Sequence, residues 1–274
     1  MKATLTVLGS GTSMGVPTVG CDCAVCSSAD PHDRRLRPSI MIQWDDNHPN
    51  APNAGTSWTP GHTVLIDTTP DFREQAIREH VKKIDAILYT HGHADHILGL
   101  DDVRPLSFPR VTGGAKIPLY ASDNTARVLR SVFRYIFEAD YKYGGLAQVE
   151  LWPLNGPVSI FGATFTPLPV MHGDMPIEAF RFGSAAYLTD FSSIPDESMA
   201  QLKGLDILFL DALRHNPHPT HSTVENSLKI VEQLKPKRTF FTHISHDLPH
   251  EETNADLPEN VRLSYDGLKL EFEL

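Results

Sequence analysis

Apolar residues fall in short runs from one end of the chain to the other, broken by turns rich in glycine, proline and acidic residues. The runs Leu5–Leu8, Ser39–Gln43, Thr63–Asp67, Asp85–Tyr89, Ile117–Tyr120, Ala163–Val170, Ala179–Phe182, Ala185–Leu188, Ile207–Leu210, Arg238–Phe241 and Leu268–Phe272 alternate or are β-branched, and read as strands. Asp71–His80, Asn124–Tyr135, Pro195–Leu202 and Thr223–Leu234 carry apolar positions at helical spacing. Asp71 and Ser222 stand where helix N-caps belong. Strands outnumber helices early and alternate with them late, which predicts an α+β chain of packed mixed sheets flanked by helices. Nothing marks a linker and no repeat is visible, so residues 1–274 read as one domain. Trp44–His62, rich in Asn, Pro and Gly, reads as a surface loop. The aromatic segment around Tyr135–Tyr143 is either a helix end packed on the core or a wall of a substrate pocket.

Composition narrows the setting. The chain has 274 residues with 24 Lys+Arg against 34 Asp+Glu, a net charge of −10. This balance disfavours broad binding to nucleic acid or to anionic membranes. No apolar run approaches the roughly 20 residues of a membrane span, and the first residues read as a strand, not a secretory leader. With 41% hydrophobic residues, wholesale disorder is excluded. There are 14 histidines and 3 cysteines, all three cysteines between positions 21 and 26. So tight a cluster is a poor disulfide framework and a good metal-ligand set, which points to a reducing cytoplasm.

The run Ile84–Leu88 leads into His91-Gly92-His93-Ala94-Asp95-His96. Imidazole and carboxylate are the common metal ligands, and this loop offers four within six residues at a strand end, before a helix expected near Ile97–Leu100. Extended geometry at His91 and His93, followed by a helix start at Asp95 and His96, lets one loop face two neighbouring metals. Three further candidates follow strands: His172, Asp190 and His243.

That order of His-x-His-x-Asp-His, then His, Asp and His, resembles the metallo-β-lactamase superfamily over nearly the whole chain. The resemblance implies a four-layer αβ/βα sandwich with a dinuclear site at one sheet edge. It implies that His91, His93 and His172 hold one divalent ion, that Asp95, His96 and His243 hold the other, and that Asp190 bridges them. It also implies that Asp67, in Leu65-Ile66-Asp67, orders the metal loop from behind.

Cys21, Cys23 and Cys26 supply three thiolates, and a tetrahedral structural zinc needs a fourth ligand. Thr242-His243-Ile244-Ser245-His246 offers His246. Gly9-Ser10-Gly11-Thr12-Ser13-Met14-Gly15-Val16-Pro17, the Cys cluster, Thr-His-Ile-Ser-His and Tyr265-Asp266-Gly267 together resemble one branch of the superfamily. That branch contains the phosphoribosyl cyclic-phosphate phosphodiesterase of the carbon–phosphorus lyase pathway. A cofactor-biosynthesis branch shares the cysteines, so they do not fix the substrate.

The expected activity is hydrolysis of a small cyclic or linear phosphodiester by a hydroxide bridging two ions of manganese, zinc or iron, with one structural zinc apart. Asp95 is expected to orient the nucleophile or take its proton. His221, in Thr220-His221-Ser222, resembles the branch's histidine beside the substrate phosphate and is the expected proton donor to the leaving group. His215 and His218 read as exposed residues or as support behind the site. His32, His48, His62, His80 and His250 read as ordinary surface or amphipathic histidines. Two other enzyme readings compete. One is hydrolysis of a thioester, lactone or other acyl substrate on the same metals. The other is RNA processing, against which the acidic balance and the lack of a long basic insertion both argue. The expected partner is a small phosphorylated substrate; the resemblance admits a homodimer and leaves the oligomeric state open.

Overall fold

The computed structural model describes residues 1–45, 61–138 and 145–274. Its strands form two seven-stranded sheets. The first contains β1 (Lys2–Gly9), β2 (Ser39–Trp44), β3 (His62–Ile66), β4 (Ala86–Leu88), β5 (Ile117–Ala121) and β6 (Val149–Pro153). The second holds β7 (Val158–Ile160), β8 (Ala163–His172), β9 (Met175–Phe182), β10 (Ala185–Leu188), β11 (Ile207–Asp211), β12 (Arg238–Thr242) and β13 (Val261–Leu263). The last strand, β14 (Lys269–Glu273), returns to the first sheet beside β1, giving the order β14-β1-β2-β3-β4-β5-β6. The second sheet runs β13-β12-β11-β10-β9-β8-β7. Each sheet is antiparallel in one part and parallel in the other: β3 through β6 in the first, β10 through β13 in the second.

Alternation along the strands builds the layers. Leu5, Val7, Ile40, Ile42, Val64 and Ile66 point between the sheets, where they meet Phe165, Phe180, Phe182 and Phe209. The intervening Met41, Leu65 and Ile87 face outward onto α1 (Phe72–Arg78) and the following helical turns. On the far side Leu168, Leu188, Leu208 and Leu210 pack under Val224, Val231 and Leu234 of the long helix Val224–Leu234. Central strands covered on both faces must be apolar at nearly every position, which is why these runs read so clearly. The result is the expected helix–sheet–sheet–helix sandwich.

Several local expectations are corrected. The helix after the metal loop is α2 (Ala94–Ile97), beginning before Ile97, with a 3₁₀ stretch at Leu100–Leu106. Asp71 precedes α1 but makes no capping bond; its carboxylate is taken by the backbone and guanidinium of Arg37. The N-cap of the long helix is Thr223, whose hydroxyl accepts from the Asn226 N–H, while Ser222 bonds Ser227 instead. The predicted helix Asn124–Tyr135 is split into Asp123–Val132 and Arg134–Phe137. Trp44 and His62 are buried strand residues in register with each other, not loop. The remainder of that loop at 46–60, including His48, and the aromatic residues at 139–143 lie outside the described residues. No described helix is long and apolar enough to cross a membrane.

Candidate metal centre

Parallel strands deliver their C-terminal ends to one edge of a sheet, and both sheets here present such ends side by side. Asp67 follows β3, the His91–His96 loop follows β4, Asp190 follows β10, Asp211 ends β11 and His243 follows β12. Asp67, Asp190 and His243 all adopt left-handed backbone, with φ of 67°, 57° and 58°. Such conformations are costly for residues with a side chain and concentrate at functional sites.

Two donor sets result. The donor atoms of His91, His93 and His172 lie within 4.8 Å of one another, as do those of Asp95, His96, Asp190 and His243. His96 Nε2 is 3.2 Å from Asp95 Oδ2 and 3.3 Å from Asp190 Oδ1. His243 Nε2 is 3.6 Å from Asp95 Oδ2 and 3.3 Å from Asp190 Oδ2, and that same oxygen is 3.8 Å from His91 Nε2. Bonds of about 2.0–2.2 Å to a tetrahedral ion would set such donors roughly 3.4 Å apart. Asp190 thus lies between the two sets. His91 Nε2, His96 Nε2, His243 Nε2 and Asp95 Oδ2 are buried without a hydrogen-bond partner, a costly arrangement that a bound cation resolves.

The electrostatics call for positive charge. Burial alone would depress His96, but Asp190, Asp95 and Asp67 outweigh it and hold the imidazole well above its ordinary range. Burial is likewise outweighed at His243, which Asp190 pushes up to about 9. Asp190 and Asp95 both sit well below the usual carboxylate range despite burial, Asp190 held there first by His243 and Asp95 first by His96. Divalent ions would answer the same demand.

The surrounding bonds fix which ring nitrogens face inward. His96 Nδ1 is 2.7 Å from Asp67 Oδ2, and Asp67 also accepts from the Thr90 N–H and hydroxyl. His172 Nδ1 donates to the Asp190 carbonyl at 2.6 Å. Each leaves Nε2 for the site, the usual way an outer carboxylate or carbonyl sets a ligand's tautomer. His221 stacks on His243 with ring centroids 4.6 Å apart and meets His172 at 4.8 Å. Its Nδ1 is 2.7 Å from Asp211 Oδ2. Burial pushes Asp211 well above the usual carboxylate range, and burial together with the charge of His243 holds His221 down to about 4. Asp211 was not singled out from the sequence, although it closes the apolar run Ile207–Leu210 much as Asp190 follows Ala185–Leu188. His215 is exposed and paired with Glu225, away from this cluster.

The cysteines form a third donor set. Cys21, Cys23 and Cys26 Sγ lie 3.3, 3.5 and 3.3 Å from His246 Nδ1. Zinc bonded at about 2.3 Å to sulfur and 2.0–2.1 Å to nitrogen sets a tetrahedral edge of roughly 3.6 Å, so the four atoms fit. Arg35, fully buried, braces the same junction: its guanidinium donates to the carbonyls of Ser245 and Leu248, both at 2.7 Å, and to Asp33. Sequence reasoning missed it, since the two carbonyls that it braces lie more than 200 positions away. A zinc here would tie the N-terminal loop to the loop bearing His243, so Cys23→Ser should remove one zinc per chain. It should also lower the melting temperature by roughly 5–10 °C, the effect of losing a cross-link of about 3 kcal/mol. Unchanged zinc content and melting temperature would exclude this role.

A two-sheet sandwich with His/Asp donor sets at one edge defines the metallo-β-lactamase fold, a framework of metal-dependent hydrolases. The chain belongs to the family described as the beta-lactamase superfamily domain, whose pattern matches residues 62–244. It is similar to the crystal structure of a diphosphatase from the PhnP family, at 67% identity and a TM-score of 0.90, covering 100% of this chain and 98% of that one. Zinc-bound PqqB from Methylobacterium extorquens shares the fold at 20% identity, with a TM-score of 0.71 over 97% of this chain and 99% of that one. Among curated sequences, an octanoyltransferase of Porphyromonas gingivalis is 36% identical over 267 residues, 96% of this chain. The chain spans 50% of that protein's length. The coenzyme PQQ synthesis protein B of Methylorubrum extorquens is 28% identical over 235 residues, 75% of this chain and 71% of that one. The chain is therefore a member of the beta-lactamase superfamily with the metallo-β-lactamase fold.

Proposed function

We propose that the chain hydrolyses a phosphoryl centre carrying two substituents, a phosphoric diester or a diphosphate linkage, with His91, His93 and His172 holding one divalent ion and Asp95, His96 and His243 the other. Asp190 lies between them. The observation that carries this reading is the Asp211–His221 pair beside the two donor sets, one ring nitrogen of His221 lying within 4.8 Å of donors on His172 and Asp190. A proton donor there serves an oxygen leaving group on phosphorus. The 67%-identical diphosphatase supports the same substrate class.

Two ions held by these sets would supply a nucleophilic water at neutral pH and would neutralise charge on the phosphoryl oxygens. Asp95, with Oδ2 turned toward His96 and His243, would orient that water and take its proton. His221 would pass a proton from Nε2 to the departing oxygen as Asp211, 2.7 Å from Nδ1, passes one to Nδ1, so that the ring stays neutral and is held in place. Manganese, zinc or iron suits the His/Asp donors, and availability decides among them. Cys21, Cys23, Cys26 and His246 hold a separate structural zinc, in keeping with a reducing cytoplasm.

The test is a panel on metal-loaded protein: bis(4-nitrophenyl) phosphate, a cyclic ribose phosphate, a diphosphate-linked nucleoside ester, a lactone and a thioester. The phosphorus substrates should turn over and the acyl substrates should stay at background. A lactone or thioester preferred by 100-fold in kcat/KM would overturn the assignment in favour of acyl hydrolysis.

A further inference from the structure

The segment from Arg214 to His221 carries more cationic side chain than bond cleavage uses. Its base is closed by the Leu213 N–H donating to Ser222 O at 3.0 Å and the Val224 N–H donating to Arg214 O at 3.2 Å. Pro217 and Pro219 restrict the backbone between. Arg214 folds over its own loop: Nε donates to Asn216 O at 3.2 Å and Nη2 to Pro217 O at 3.4 Å. These are carbonyls, and the guanidinium makes no ion pair among the described residues, so its charge is uncompensated in a chain of net charge −10.

His218, on the same loop, has its ring 5.0 Å from that of His221. Its Nδ1 accepts from the Thr220 N–H at 3.4 Å, with the Thr220 hydroxyl at 3.2 Å. An imidazole that accepts at Nδ1 carries its hydrogen on Nε2, where it can be given to an anion. The loop is seated against the metal centre: a Cβ on Gly173, next to His172, would lie 3.0 Å from Thr220 Cγ2. The rings of His218, His221 and His172 thus follow one another at 5.0 and 4.8 Å, with Arg214 at the start of the same loop. Burial first, and then the neighbouring His221 and Arg214, hold His218 below its ordinary range.

We propose that Arg214 and His218 form a second phosphoryl-anion subsite, which receives the phosphate next to the one undergoing hydrolysis. The proposal rests on the phosphoric-ester reading and sharpens it: the preferred substrate carries two linked phosphoryl groups rather than one.

The experiment compares kcat/KM for a diphosphate-linked nucleoside ester with that for bis(4-nitrophenyl) phosphate, in wild type, Arg214→Ala and His218→Ala, together with binding of inorganic pyrophosphate and inorganic phosphate to the metal-loaded proteins by calorimetry. Each variant should lower the diphosphate-to-diester ratio by about 10-fold, mostly through KM, the effect of one or two hydrogen bonds to a charged group. His218→Asn, which keeps a donor, should recover part of the loss. Pyrophosphate should bind wild type more tightly than phosphate, and the variants should lose that advantage. Variants that keep both the ratio and the advantage overturn the subsite. Equal weakening of phosphate and pyrophosphate would mark a site for free phosphate and also overturn it. Wild type that discriminates between the anions yet hydrolyses neither ester would overturn the catalytic reading while leaving the subsite standing.

Discussion

Asp190→Ala should lower phosphoryl turnover by about 10³-fold or more while leaving the cysteine-bound zinc in place. Loss of a residue behind a metal ligand typically costs 10–100-fold. Asp190 should cost more because it serves both donor sets, with Oδ1 3.3 Å from His96 Nε2 and Oδ2 3.3 Å from His243 Nε2 and 3.8 Å from His91 Nε2. Its removal also leaves His96 and His243 with less carboxylate to balance a cation. Elemental analysis should then show the catalytic metals depleted and one zinc retained per chain. An Asp190→Ala protein with full metal content and wild-type turnover would refute the dinuclear reading. A wild-type protein that binds at most one metal in total would refute it as well.

His221→Ala should slow hydrolysis of an alkyl or cyclic ribose phosphodiester by roughly 10²–10⁴-fold, the range for one general acid. An alkoxide leaving group is a strong base and needs the proton proposed to come from His221; a nitrophenolate needs little help. The same variant should therefore slow bis(4-nitrophenyl) phosphate much less. A diphosphate linkage, whose leaving phosphate is a weak base, should fall between these extremes or near the nitrophenyl diester. Metal content should not change, because His221 is not among the proposed ligands. Asp211→Asn should reproduce part of the loss, since Asp211 holds the His221 ring from 2.7 Å behind. Near-wild-type rates on every substrate would reduce His221 to a bystander, and the preference for phosphorus over acyl substrates would lose its main support.

Much of the fold was legible because the central strands are covered on both faces and cannot hide their apolar runs. Met41, Leu65 and Ile87 pack under helices while their neighbours Ile40, Val64 and Leu88 fill the space between the sheets. The elements that escaped notice lie at margins. β7 and β13 are three residues each, too short to display alternation, and β6 is an edge strand with a partly exposed face. The helix His250–Asp256 is acidic and lacks an apolar stripe, its only inward side chains being His250 and Thr253. His250 and His32, read as ordinary, make tilted and edge-on ring contacts with each other and with Tyr265. The caps were misplaced because capping side chains answer to whichever partner the fold brings nearest, and for Asp71 that partner is Arg37.

The amino-acid sequence by itself determined the donors. Four ligand-type residues in one six-residue loop and three thiolates in another are local facts of spacing, and the strand before each later candidate gave its place. What only the tertiary structure decided is how those donors are aimed. Left-handed turns at Asp67, Asp190 and His243, the choice of Nε2 on His96 and His172, and the bracing by Asp211 and Arg35 all depend on strand ends that meet from distant parts of the chain. Parallel strands bring such ends to a common edge only once both sheets have packed, and no local pattern encodes which carbonyl or carboxylate will then stand behind a given ring.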